Sequence, residues 1–285
     1  MSSSGDLRVV LEDLVFPEGP RWRDGHLYFS DIHAGKVICV TPTGSAALVC
    51  EVPGLPSGLG WDPQDRLLIA STTTKALVRL EHDGTLTTVA DLSGLCRWTI
   101  NDMVVDGAGR AYIGDVGFEL GRDDFRPGQV VLVQPDGTSS VVDDDMRFPN
   151  GSMVTPDGRT LLVGESFGGR LTAFDIQADG SLANKRVWAQ LPQGAVPDGS
   201  CLDAEGAVWT ASPTTREVLR VAEGGEVLAR VSTGDQGAYA CMLGGNDRRT
   251  LFVCTAKTHD PKMTGELRSG RIEAVEVDVP GAGWP

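Results

Sequence analysis

The chain has 285 residues, of which 41% are hydrophobic, enough for a packed core and against wholesale disorder. Its 39 Asp and Glu against 25 Lys and Arg give a net charge of −14, which argues against nucleic acid or an anionic membrane surface as a partner. No apolar run approaches the roughly 20 residues of a membrane-spanning helix, and the start, Met1 to Arg8, lacks the charged and apolar regions of a signal peptide.

In chain order, the first expected element is a short strand over Arg8–Leu11. Six copies of one pattern follow: an apolar strand, a tight turn, a second apolar strand. The copies begin at Gly19, Gly60, Met103, Met153, Cys201 and Met242, with turns at Gly25, Asp65, Gly109, Gly158, Gly206 and Arg248. The mean spacing is about 45 residues. Five copies carry a second turn, at Gly44, Gly84, Gly137, Gly180 and Gly225. Three of these read Asp-Gly, a hairpin signal between alternating apolar runs. Two hairpins per repeat make four strands, the pattern of a propeller blade. Arg271–Val279 alternates at period two, as a last strand should. The expectation is an all-β, six-bladed β-propeller with four antiparallel strands per blade. It fills 1–285 as one domain, with blades starting near 18, 57, 101, 150, 198 and 240. Pairing of the N-terminal strand with the last blade would close the ring and remove its free edges.

The six Cys, at 39, 50, 96, 201, 241 and 254, form no Cys-x-x-Cys pair and sit mostly in strand-like stretches. They read as free thiols in a reducing, cytoplasmic setting. The four His, at 26, 33, 82 and 259, have no zinc-ligand spacing. A metal site must therefore use oxygen ligands, which favours a hard cation such as Ca²⁺.

Propeller geometry locates such ligands. The first strand of each blade lines the central channel, and its first residue sits at one mouth. Counting back eight residues from each first turn, seven in the first copy, reaches Glu18, Ser57, Asn101, Asn150, Asp198 and Ala240. Asn and Asp are disfavoured within strands, so they either turn the chain or serve a ligand. Glu18 and Asp198 supply two charges, Asn101 and Asn150 neutral carbonyl oxygens, a mixture Ca²⁺ accepts. Loops between second and third strands return to this face. Two are long, 117–129 and 256–269, and suit a lid or a binding loop. Arg122, Arg126, Lys257 and Lys262 there could steer an anionic or polyhydroxyl molecule. Asp115 and Glu165, at second-strand ends, are expected near the mouth.

The segments Phe16-Pro-Glu-Gly-Pro-Arg-Trp22, Ile100-Asn-Asp-Met103, Phe148-Pro-Asn-Gly151 and Pro197-Asp-Gly199 resemble the family of senescence marker protein (regucalcin), gluconolactonase and luciferin-regenerating enzyme. The resemblance covers residues 10 to 279. It implies a six-bladed propeller with one divalent metal in the channel, Ca²⁺ first, with Mg²⁺, Mn²⁺ or Zn²⁺ as alternatives. It implies a small-molecule lactone or ester substrate, beside the expectation from charge of no nucleic acid or membrane partner. Glu18, Asn150 and Asp198 would ligate the metal, with Asn101 a fourth ligand or a substrate contact. Asp198 would also be the catalytic base or water-orienting group. Substrate contacts are expected from Asn101, Thr99, Glu119, Arg122 and Tyr239. Members acting on sugar lactones often carry Arg where this chain has Thr99, and the nearest Arg is Arg97. A less hydroxylated or bulkier lactone or ester is therefore admitted beside a sugar lactone.

The implied reaction has the metal polarise a lactone carbonyl while water, oriented or deprotonated by Asp198, attacks it. A carboxylate on a dication is a limited base, so the metal's effect on the water also counts. The alternative is a metal-binding regulatory or protein-interaction propeller without catalysis, as a monomer or weak homo-oligomer. Gly164-Glu-Ser-Phe-Gly168 matches a serine-hydrolase pattern, but that pattern needs a strand–turn–helix and a downstream His, and only His259 follows.

Overall fold

The computed structural model describes residues 7–283. Among these are six separate four-stranded antiparallel sheets, the blades of a six-bladed β-propeller. Blade 1 comprises Pro17–Arg23, His26–Asp31, Lys36–Val40 and Ala46–Glu51. The first strands of blades 2 to 6 are Pro56–Trp61, Ile100–Val105, Pro149–Val154, Ser200–Leu202 and Gly237–Gly244. Each touches the next around the ring, and the sixth touches the first. The outer strand of blade 6 is the N-terminal Arg8–Leu14, paired antiparallel with Gly270–Glu276.

Turn chemistry fixes the register. All six predicted first-turn residues hold φ between 60° and 80°, including the non-glycines Asp65 and Arg248. In the second turns Asp83, Asp136 and Asp179 each accept the backbone N–H two residues on, at 2.9–3.0 Å. Each following Gly takes φ of 85–89°, a conformation that favours glycine over any residue with a Cβ. Core residues pack between neighbouring blades. Leu68, Ala70 and Leu77 of blade 2, for example, meet Met103, Ile113 and Val131 of blade 3. Opposite the predicted mouth, the C-terminal segment ties blades 5 and 6 together. Ala282 N–H donates to the Leu202 carbonyl and Gly281 N–H to that of Arg248.

The six Cys are all free thiols, four buried and two half-buried. Among the described residues, no helix is long and apolar enough to cross a membrane. The connection expected as a plain loop over 256–269 contains a helix, α1 (Pro261–Leu267). Its start is set by the Asp260 carboxylate, which accepts from Lys262 N–H, with Pro261 in the first turn.

Asp115 and Glu165 do not aim into the mouth. Asp115 is fully buried and accepts from the backbone N–H of Arg97 (2.7 Å), Trp98 (3.0 Å) and Gly117 (3.1 Å) and from Gln129 Nε2 (3.1 Å). Glu165 accepts from Arg147 N–H and pairs with Arg170 at 2.8 Å. The equivalent Asp31 accepts from Val15 and Phe16 N–H, and Ser212 from Val196 N–H. These second-strand ends hold the loop that leads into the first strand, satisfying backbone donors that burial would otherwise leave unpaired. We expect Asp115→Ala to lower stability by about 3 kcal/mol or more, because each orphaned buried donor costs about 1–3 kcal/mol. Urea denaturation midpoints check this, with Asp115→Asn expected to lose less.

Candidate metal centre at the channel mouth

Every polar position predicted for the mouth lies where a first strand begins. In five blades the pairing of first and second strands shifts there: between Glu18 and Arg21, Pro56 and Leu59, Ile100 and Met103, Asn150 and Met153, and Ala238 and Ala240. Such irregularities re-aim a side chain out of the ladder, here toward the axis. Asp198 lies just before its strand, its N–H donating to the Ala211 carbonyl. Blade backbones approach closely at this level. A Cβ on Gly151, at φ +47°, would sit 2.1 Å from the Asp198 carbonyl oxygen, and one on Gly19, at φ +55°, 2.6 Å from that of Ser57. Both positions require glycine.

The side chains form a connected arc. Ser57 Oγ donates to Asn101 Oδ1 at 3.1 Å, Asn101 Nδ2 to Asn150 Oδ1 at 3.2 Å, and Asn150 Nδ2 to Asp198 Oδ1 at 2.5 Å. Glu18 completes the circle from the other side. It accepts from Gly19 N–H at 2.9 Å. Glu18 and Asp198 are half-buried, and Asn150 is buried. Burial pushes the Glu18 carboxyl well above its usual range, and the Asp198 charge adds to this. Asp198 is pushed up to about 8, by burial first and then by the charge of Asp102. Tyr239, packed at 4.8 Å on Phe16, is raised to about 12 by burial and then by the charges of Asp198 and Glu18. These shifts describe a site short of positive charge.

A divalent cation fits that deficit. The donors are carboxylate and carboxamide oxygens, which suit a hard cation. Among the described residues no three His, Cys, Asp or Glu side chains gather as a metal site, so two carboxylates need carboxamide partners here.

Sequence reasoning missed Arg21 and Asp102. Arg21 is 4% exposed and lies in the channel, where Nη2 donates to Asp102 Oδ1 at 3.3 Å and to the Met103 carbonyl. Asp102 Oδ2 accepts from Ser152 N–H at 2.7 Å. A charged residue at an inward strand position was the available signal. Of the predicted substrate contacts, Asn101 is part of the arc, Tyr239 is buried against Phe16 and His259, and Thr99, half-buried, accepts from Val116 N–H through its carbonyl. Glu119 and Arg122 pair with each other at 3.0 Å on the long loop, and Arg122 is 77% exposed. Arg97 pins that loop, donating to the carbonyls of Pro127 (2.7 Å) and Asp144 (3.2 Å), so it does not replace the arginine absent at Thr99. Lys257 pairs with Asp235 at 3.5 Å. Ser166 is no activated nucleophile: its hydroxyl donates to the Pro197 carbonyl at 2.8 Å.

The raised carboxyls predict an unusual pH response in chelator. Unfolded, Asp198 ionises near 3.8; folded, it holds its proton to about 8. Across that window the native state binds more protons, so stability should fall as pH rises. Tm measured from pH 4 to 8 in EDTA checks this, and Asp198→Asn should flatten the slope.

The description SMP-30/gluconolactonase/LRE-like region matches residues 16–257. The 6-deoxy-6-sulfogluconolactonase of Pseudomonas putida is 25% identical, over 97% of this chain and 96% of its own. Regucalcin of Danio rerio is 29% identical, over 87% of this chain and 85% of its own. The crystal structure of a calcium-binding protein, regucalcin, from Agrobacterium tumefaciens superposes with a TM-score of 0.83 at 23% identity, covering 99% of this chain and 97% of that one. With six blades and a match from Phe16 to Lys257, the chain belongs to the SMP-30/gluconolactonase/LRE-like family.

Proposed function

We propose that this protein is a metal-dependent lactonase, a carboxylic-ester hydrolase that opens a lactone with water using one divalent cation, Ca²⁺ by preference. The observation that carries this reading is the ring of Glu18, Asn101, Asn150 and Asp198, whose two carboxylates share one channel mouth and lack positive charge. Family membership and the sulfogluconolactonase relative support a lactone as substrate. The calcium-binding relative supports the cation.

Glu18, Asn150 and Asp198 would hold the cation, with Asn101 as a fourth ligand or a contact to the substrate. Bound there, a divalent cation supplies Lewis acidity toward the carbonyl and toward the negative charge that develops on its oxygen. Asp198 orients the attacking water and accepts its proton. Asn150 Nδ2 and Gly199 N–H hold Asp198 Oδ1 in place for this, at 2.5 and 3.1 Å. Asn150 is itself fixed through Asn101 and Ser57. A bond forms between the water oxygen and the acyl carbon, the ring C–O bond breaks, and the departing alkoxide takes up a proton. The product is the open hydroxy acid.

Purified protein assayed for bound metal, then for hydrolysis of simple lactones with and without EDTA, tests the reading. Activity should be lost in EDTA and return with Ca²⁺. Asp198→Ala should lower kcat/KM by about 10²–10⁴-fold, the usual range for a lost general base. Full activity in that variant would falsify the assignment. Bound metal without hydrolysis of any lactone or ester would favour a binding role instead. Glu18→Gln should weaken Ca²⁺ binding in calorimetry, by removing one of two ligand charges.

A further inference from the structure

Part of the mouth outside the oxygen ring is apolar, although His33 stacks on Phe16 at 5.0 Å. Two residues before Glu18, Ser57, Asn101 and Asn150 stand Phe16, Leu55, Thr99 and Phe148. Their carbonyls accept from equivalent N–H groups past the second strands: Ile32, Thr72, Val116 and Ser166, at 2.8–3.0 Å. They therefore form one structural layer. Three of its members are large and apolar, and the fourth, Thr99, carries no charge.

On one side this layer grows into an aromatic wall. Phe148 and Phe167 lie 5.3 Å apart between ring centroids, Phe118 and Phe167 5.6 Å, and Phe118 and Phe125 5.6 Å. Phe118 and Phe125 come from the long loop after the second strand of blade 3, Phe148 and Phe167 from the two ends of blade 4's first hairpin. Phe118 is buried at 4% exposure and anchors the group, whereas Phe125 and Phe167 stay 44% and 45% exposed. The wall adjoins the ring directly. Phe148 precedes Asn150 by two residues, and Phe167 follows Ser166, whose Oγ lies 3.5 Å from Asn150 Nδ2. Phe148 is held there at φ 64°, a costly conformation for a bulky side chain. The backbone that enforces it bonds Phe167 N–H to the Arg147 carbonyl and Ser166 N–H to the Phe148 carbonyl, so the two rings are fixed as a pair.

Exposed rings clustered at tilted and edge-to-face angles beside a polar ring present a surface for an apolar body attached to a polar head. A polyhydroxylated sugar ring would leave most of its hydroxyls unpaired against such a wall: Arg97 is spent on the loop backbone, and the Arg147 guanidinium is engaged over the Phe125 ring at 5.8 Å. Resting on the lactonase reading above, we propose that the wall of Phe118, Phe125, Phe148 and Phe167 selects lactones or esters carrying an aryl or branched-alkyl substituent over sugar lactones. The lactone carbonyl faces the oxygen ring while the substituent lies on the rings of Phe125 and Phe167.

The test compares kcat/KM for γ-phenyl-γ-butyrolactone, γ-butyrolactone and D-glucono-1,5-lactone. The wild type should favour the phenyl lactone over the other two by about tenfold or more, the scale of an added apolar contact in a hydrophobic pocket. The double variant Phe125→Ser, Phe167→Ser should cut the phenyl-to-unsubstituted ratio by about tenfold, mostly through KM. The milder Phe167→Leu, with a Tm matching wild type, should move the ratio in the same direction. A ratio unmoved by either variant, or a preference for gluconolactone, overturns the proposal while leaving lactone hydrolysis intact. Hydrolysis of none of the three lactones overturns the lactonase reading and this one with it. A wild-type dimer in sedimentation that the double variant dissociates would assign the wall to a second copy of the chain, and so also overturns it.

Discussion

The mouth of this propeller depends on how closely six first strands can approach one axis. At the level of the oxygen ring the blade backbones are near contact, with Gly151 against the Asp198 carbonyl and Gly19 against that of Ser57. That closeness brings residues 57, 101, 150 and 198, distant in sequence, into one hydrogen-bonded arc, with Glu18 beside it. It also sets the electrostatics. Two carboxylates pressed together where water is scarce favour protons or a cation, and their raised affinity for protons expresses that demand. Ring closure and the crowding of charge are therefore linked: loosening the blades would relax it.

The buried groups at second-strand ends maintain the approach. Asp31 and Asp115 each gather several backbone N–H groups from the loop feeding the first strand of their blade, while Glu165 and Ser212 each take one, Glu165 adding the Arg170 and Thr172 side chains. A carboxylate accepting several N–H groups is a rigid fastener, because both its charge and its geometry resist displacement. The chain thus uses buried acids in two opposite ways. Those at second-strand ends are saturated with donors and hold structure. Those at first-strand starts are short of donors and positive charge, which keeps them free for a ligand.

Much of the fold was legible because turn chemistry repeats. The positive φ at Gly25, Asp65, Gly109, Gly158, Gly206 and Arg248 falls on the six positions that the pattern marks. Counting back from those turns reached Glu18, Asn101, Asn150 and Asp198, since the span from the start of the first strand to its turn hardly varies from blade 1 to blade 4, where those strands begin at Pro17, Pro56, Ile100 and Pro149. Asp115 and Glu165 stand beside the starts of the first strands, as expected, but their side chains hold backbone there. Position along a strand says which end a residue occupies, not whether its side chain turns toward the axis or back into a loop. Helix α1 was missed because seven residues, opening on a proline and holding one glycine, carry no periodic signal. Arg21 and Asp102 were missed because charged residues in an apolar strand pattern read as exceptions until their pairing across blades 1 and 3 is visible.

The sequence by itself determined the six-fold repeat, its hairpins and the residue types at the channel mouth, since these follow from local rules of alternation, glycine and Asx turns acting over a few residues. Only the tertiary structure decided which acids face one another, which are consumed by backbone, and that four phenylalanines from two blades form one wall beside the ring. Those outcomes depend on the angle and distance between blades. They arise from packing between segments far apart in sequence, which no local pattern encodes.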